Sequence, residues 1–62
     1  MNKEEALNEN INSMLNVLDK RADVIQDDFG FNCMIDYWIK IKNACQKRIN
    51  TYLILKEAKD IE

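Results

Sequence analysis

Three aspartates, Asp19, Asp23 and Asp27, recur every four residues, with Asp28 beside the last. On a helix that spacing places the carboxylates on one face, and a row of carboxylates is a ligand set for hard cations. The chain has no histidine, so nothing completes the carboxylate–histidine pattern of di-iron bundles. The row therefore reads as a solvated helix face. The lack of histidine also removes the usual general base near neutral pH. Apart from the two tyrosines, Ser13 and Thr51 are the hydroxyl candidates, and neither has a base at a recognisable spacing. A cysteine nucleophile needs an activating partner. Cys45 falls in an apolar stripe, where a small core residue is the default. Cys33, near the start of a helical segment, is the more reactive candidate of the two. Two cysteines cannot supply a four-ligand zinc site alone, and no glycine-rich loop is present to cradle phosphate. These residues predict no enzymatic activity, no metal, no cofactor and no small-molecule substrate.

The elements that carry these groups follow from one glycine and no proline in 62 residues. Gly30 sits near the midpoint, and glycine is the commonest residue just past a helix end. One break in the middle predicts helix, turn, helix. Before it, Leu7, Ile11, Met14, Leu18 and Ile25 recur at steps of three, four and seven, which is helical spacing. Asn2 followed by Glu5 is a capping-box pattern with asparagine in place of serine or threonine. After the break, Phe31, Met34, Trp38, Ile41, Cys45, Tyr52 and Leu55 keep the same rhythm, with Ile35, Ile49 and Leu53 widening the stripe; Asn32 is a candidate N-cap. The spacing predicts an all-α chain forming one domain over 1–62. Helix one covers about 3–28, a turn about 29–31, and helix two about 32–60. Near-equal lengths and a short turn predict an antiparallel hairpin, with residues whose numbers add to about 60 facing each other.

Both cysteines then lie on helix two, twelve residues or about 18 Å apart. That is too far for a disulfide within the chain. Free thiols suit a reducing cytoplasm. The acidic, polar start is no secretory signal, and no stretch approaches the ~20 apolar residues that a membrane span needs. Eight Asn, eight Ile and seven Lys against two Arg fit AT-rich coding DNA, as in a low-GC bacterium or its phages and mobile elements.

A domain this small is marginal without an added constraint, and with disulfides and metals set aside the remaining ones are regular helix packing and association. The apolar positions of helix two span about 200° of its circumference, more than one neighbouring helix covers. An exposed remainder of that kind marks an interaction surface. The sequence predicts a homodimer, two hairpins making a four-helix bundle, with Leu7, Ile11, Met14, Leu18, Ile25, Met34, Cys45, Ile49 and Leu55 as hairpin and dimer core. A larger protein is the second partner. Phe29, Phe31, Tyr37, Trp38, Ile41 and Tyr52 are its predicted contacts, since aromatics are the usual anchors. The function expected is that of a small regulator, inhibitor, adaptor or co-chaperone, with a purely structural subunit of a larger assembly as a further reading.

Charge raises one more alternative. Residues 1–30 carry net −4 and residues 31–62 net +2, and no acid falls between Tyr37 and Lys56. Lys40, Asn43 and Lys47 share one face of helix two, so a nucleic-acid-binding dimer is conceivable. The overall charge of −2 argues against it, because a basic domain is the usual footprint. Pairing along the hairpin or across the dimer is the simpler role: Asp19 and Asp23 toward Lys40 and Lys42, Glu4 and Glu5 toward Lys56. Arg21 and Arg48 interrupt the stripes, and the antiparallel register puts them near Ile39 and Asn12.

Overall fold

The computed structural model describes residues 2–61, and side-chain environments as far as Lys59. It is all-helical: α1 spans Lys3–Phe29 and α2 spans Phe31–Ile61, in a hairpin-like arrangement. At about 1.5 Å per residue the helices are roughly 40 and 46 Å long.

The start of α1 is fixed locally. Asn2 is extended (φ −86°, ψ 172°), and its side-chain oxygen accepts a 2.9 Å hydrogen bond from the Glu5 amide. Its carbonyl accepts from Ala6 N–H at 3.1 Å. Glu4 and Glu5 in the first turn suit the positive end of the helix dipole.

The break is one residue long. Gly30 N–H donates to the Gln26 carbonyl at 2.9 Å, closing α1, and the Gly30 carbonyl accepts from Met34 N–H at 3.2 Å, opening α2. The turn expected over 29–31 is thus Gly30 alone, and Phe29 and Phe31 are both helical. Asn32, the expected N-cap, lies inside α2. Gly30 itself takes the cap position, because φ 97° and ψ 171° reverse the chain in a single step. That region is essentially reserved for glycine.

The arms diverge from this point. The Cα envelope measures 51 × 29 × 9 Å. Two helices packed side by side at 8–10 Å would span only about 15 Å in the second direction, so the molecule is an open V, and its 9 Å thickness keeps both axes nearly in one plane. The radius of gyration is 16.0 Å, against about 11 Å for a compact chain of this length.

Contact is confined to the base of the V. Ala22 alone among the described residues is buried, at 4% exposure. Leu18 and Ile25 on α1 and Met34, Tyr37, Trp38 and Ile41 on α2 are half-buried. The small Ala22 side chain lets α2 approach closely here, because interaxial distance follows side-chain size. Of the predicted core, only Leu18, Ile25 and Met34 are partly covered. Leu7, Ile11, Met14, Ile49 and Leu55 are exposed, and so is Cys45: all but Ile49, which lies on the flank of α2, continue the seam along arms that have separated. The ion pairs predicted across the hairpin are absent for the same reason. Among the described residues the one salt bridge is local, Lys40 Nζ to Asp36 Oδ2 at 3.2 Å, one helical turn apart.

Candidate protein-interaction surface

Three surfaces of the hairpin offer apolar area to another molecule. The first is the inner wall of the V. On α1 it carries Leu7, Ile11 and Met14, and on α2 it carries Cys45, Tyr52 and Leu55, all exposed. These residues are in phase with the packed positions nearer the turn, so the same stripe is covered at the base and bare along the arms. Arg48 interrupts the α2 wall. Its Nη1 donates to the Ala44 carbonyl of its own helix at 3.0 Å.

Tyr52, 67% exposed, lies where two shallow concave surfaces meet. Leu55, Lys56 and Lys59 line one, and Ala44, Lys47, Arg48 and Thr51 the other. The ring is therefore an apolar landing point surrounded by cations, a setting that favours an acidic amphipathic partner. Thr51 is not free to add to it, because its hydroxyl donates to the Lys47 carbonyl at 2.9 Å.

The second surface is a stripe on the flank of α2 formed by Phe31, Ile35, Ile39, Ile49 and Leu53, each exposed. On a helical projection it lies about 90° from the face that Met34, Trp38 and Ile41 turn toward α1. Apolar side chains thus occupy two adjacent sides of α2, and one α1 cannot cover both. Phe29 at 73% and Phe31 at 59% exposure flank Gly30 at the tip.

The third is an open groove across the base, lined by Lys20, Arg21, Val24, Ile25 and Tyr37. Its floor is apolar and two cations stand at its edge. Arg21 was legible in the sequence as an interruption of the stripe. The groove was not, because it depends on how close Tyr37 comes to α1.

The predicted partner contacts do not form one patch. Tyr37, Trp38 and Ile41 belong to the packed base, where the Tyr37 and Trp38 rings meet edge to face, 5.6 Å between centroids at 70°. Phe29 and Phe31 sit at the tip. Tyr52 lies fourteen residues beyond Trp38, about 21 Å along α2. Of the six, Phe29, Phe31 and Tyr52 are exposed, and Tyr37, Trp38 and Ile41 are half-buried at the base.

The chemical candidates are similarly dispersed. No group of three or more His, Cys, Asp or Glu side chains among the described residues is placed to hold a metal ion. Asp19, Asp23 and Asp27 are exposed along α1. Cys33 and Cys45 are exposed free thiols. On the face shared by Lys40, Asn43 and Lys47, Lys40 is held by Asp36, an acid one turn back that offsets the positive potential at that end. Among the described residues no helix is long and apolar enough to cross a membrane. No protein-family model matches the chain, and neither curated proteins nor solved structures give a significant match.

Proposed function

We propose that this chain is a non-enzymatic protein–protein interaction module. It self-associates into a four-helix bundle, and it presents the Phe29–Gly30–Phe31 tip and the flank of α2 to a larger protein as a regulator or adaptor. One observation carries the reading: the accessible surface is 5775 Å², whereas a compact protein of 7.3 kDa exposes about 4,200 Å². The surplus of roughly 1,600 Å² is about twice what one partner buries in a standard interface. Apolar side chains supply much of it, and water disfavours that at about 25 cal/mol per Å².

The absence of histidine and the scatter of the thiols and hydroxyls support a binding role over a catalytic one. The two exposed free thiols support a cytoplasmic setting. Sedimentation equilibrium at tens of micromolar tests the self-association: mass should rise with concentration to a dimer, and a well-folded 7.3 kDa monomer would refute it. For the larger partner, Phe29→Ala with Phe31→Ala should abolish capture while leaving the dimer intact.

A nucleic-acid reading keeps some support from the run between Tyr37 and Lys56, which contains no acid. It requires RNA or DNA binding at about 150 mM salt that falls steeply as salt rises and is lost in Lys40→Ala with Lys47→Ala.

A further inference from the structure

We propose that the flank of α2 seats one helix of the larger protein, and that this helix carries an acidic pair of residues between two apolar pairs. The inference rests on the interaction-module reading and adds the chemistry of the partner.

The flank has the spacing of a helix–helix seam. Ile35, Ile39, Lys42, Gln46, Ile49 and Leu53 follow one another at steps of four and three, the rhythm with which one helix meets another. On a helical projection they fall within a band about 80° wide and cover about 27 Å of the axis. All six are exposed. The packed base leaves them alone, because Met34, Trp38 and Ile41 face α1 about 90° further round. A helix laid on the flank therefore displaces nothing of the hairpin.

The middle of the seam selects the partner. The order along it is apolar pair, polar pair, apolar pair, and Lys42 stands in the polar pair. Lys40 is held by Asp36 on its own helix. Lys42 has no such neighbour: the positions one turn away on either side are Trp38, Ile39, Cys45 and Gln46. Gln46 is uncharged and donates to Asn50 Oδ1 at 2.9 Å. Among the described residues no carboxylate pairs with Lys42. A helix closing over the seam covers that ammonium, and covering an unpaired cation is costly. The partner must bring the carboxylate.

That requirement disfavours a second copy at this seat. With α2 on α2, Lys42 meets Lys42 when the helices run parallel, and lies one turn from it when they run antiparallel about the centre of the seam. None of the six positions carries an acid. The apolar stripe of α1 from Leu7 to Ile25 supplies none either, and its one interruption is Arg21. The occupant that completes the polar layer is an acidic amphipathic helix of a different protein. The pattern reads the same from both ends, so the acidic pair meets Lys42 whichever way that helix runs.

Synthetic peptides and the full chain test the seat. Two helical peptides of about 20 residues carry leucine at the outer seam positions and differ only in the central pair, Glu–Glu or Lys–Lys. In fluorescence anisotropy the Glu–Glu peptide should bind at least about tenfold tighter than the Lys–Lys peptide, and Lys42→Glu should reverse the preference. Ile39→Ser should abolish binding of the Glu–Glu peptide. Tyr52→Ser, on the inner wall among other cations, should leave it unchanged. Circular dichroism and sedimentation check that each variant keeps the parent's helicity and mass. Failure of both peptides to bind, a preference that Lys42→Glu does not reverse, or loss in Tyr52→Ser rather than in Ile39→Ser overturns the acidic-helix seat. Each of these leaves self-association and the Phe29–Phe31 contact to their own tests. Conversion of a dimeric parent to a monomer by Ile39→Ser would show a second copy on the flank and overturn the proposal outright.

Discussion

Replacing Gly30 with alanine should convert the hairpin into one straight helix without unfolding it. Space is not the obstacle, because a Cβ built on Gly30 meets nothing within 4 Å. The obstacle is the backbone: at φ 97°, ψ 171° a non-glycine residue costs about 1–3 kcal/mol. In a continuous helix alanine is instead better than glycine by about 1 kcal/mol. Together these move the balance between hairpin and straight helix by about 2–4 kcal/mol, or roughly 30-fold to nearly 1,000-fold. Opposing that shift, the six half-buried side chains at the base contribute roughly 1 kcal/mol each, an upper estimate of about 6 kcal/mol in all. The straight helix also regains about three backbone hydrogen bonds skipped at the turn, each worth about 0.5–1 kcal/mol. Spin labels at Ser13→Cys and Asn50→Cys in a chain lacking Cys33 and Cys45 report the outcome, with labelled chains diluted into unlabelled ones. In the hairpin the labels fall within the 29 Å breadth of the molecule, and in a straight helix they stand about 55 Å apart. Circular dichroism should show helicity retained. A Gly30→Ala chain that keeps the short distance, with stability within about 0.5 kcal/mol of the parent, would show that the glycine conformation does not hold the turn.

Three further substitutions probe other links. Asn2→Ala removes the oxygen that accepts the Glu5 amide and should cost about 1 kcal/mol, seen in hydrogen exchange as faster opening of the first turn of α1 alone. Ala22→Leu places a large side chain at the one buried position and should cost about 1–3 kcal/mol in urea unfolding, whereas Val17→Leu on the exposed arm should stay within about 0.5 kcal/mol. Lys40→Ala breaks an exposed pair with Asp36 and should change the midpoint by less than about 0.5 kcal/mol; a larger loss would mean that Lys40 makes a contact in the assembled state.

Local features were legible in the sequence because each depends on residues within a turn or two of one another. Asn2 three residues before Glu5 specified a cap, and a cap needs only those residues. Gly30 as the sole glycine, with no proline anywhere, specified where the helix breaks. The sequence reading set Lys40 against the aspartates of α1, whereas the structure pairs it with Asp36 on its own helix, and the shorter sequence distance won. The candidate surface was legible only in part. Helical periodicity identified which sides of α2 are apolar, but not that Tyr37, Trp38 and Ile41 would be half-buried at the base while Tyr52 stayed exposed.

The sequence by itself determined two helices, their apolar faces and a single glycine hinge. Only the tertiary structure decided how far the hinge closes. Periodicity sets the direction in which a side chain projects from its own axis, and it leaves open the distance and angle to the next axis. Those depend on the residues that meet: Ala22 is small enough for α2 to come close, whereas further along the seam Arg48 would face Asn12 with no charge to pair it. The chain is closed at its base and open along its arms, and the open arms carry the area from which its proposed role derives.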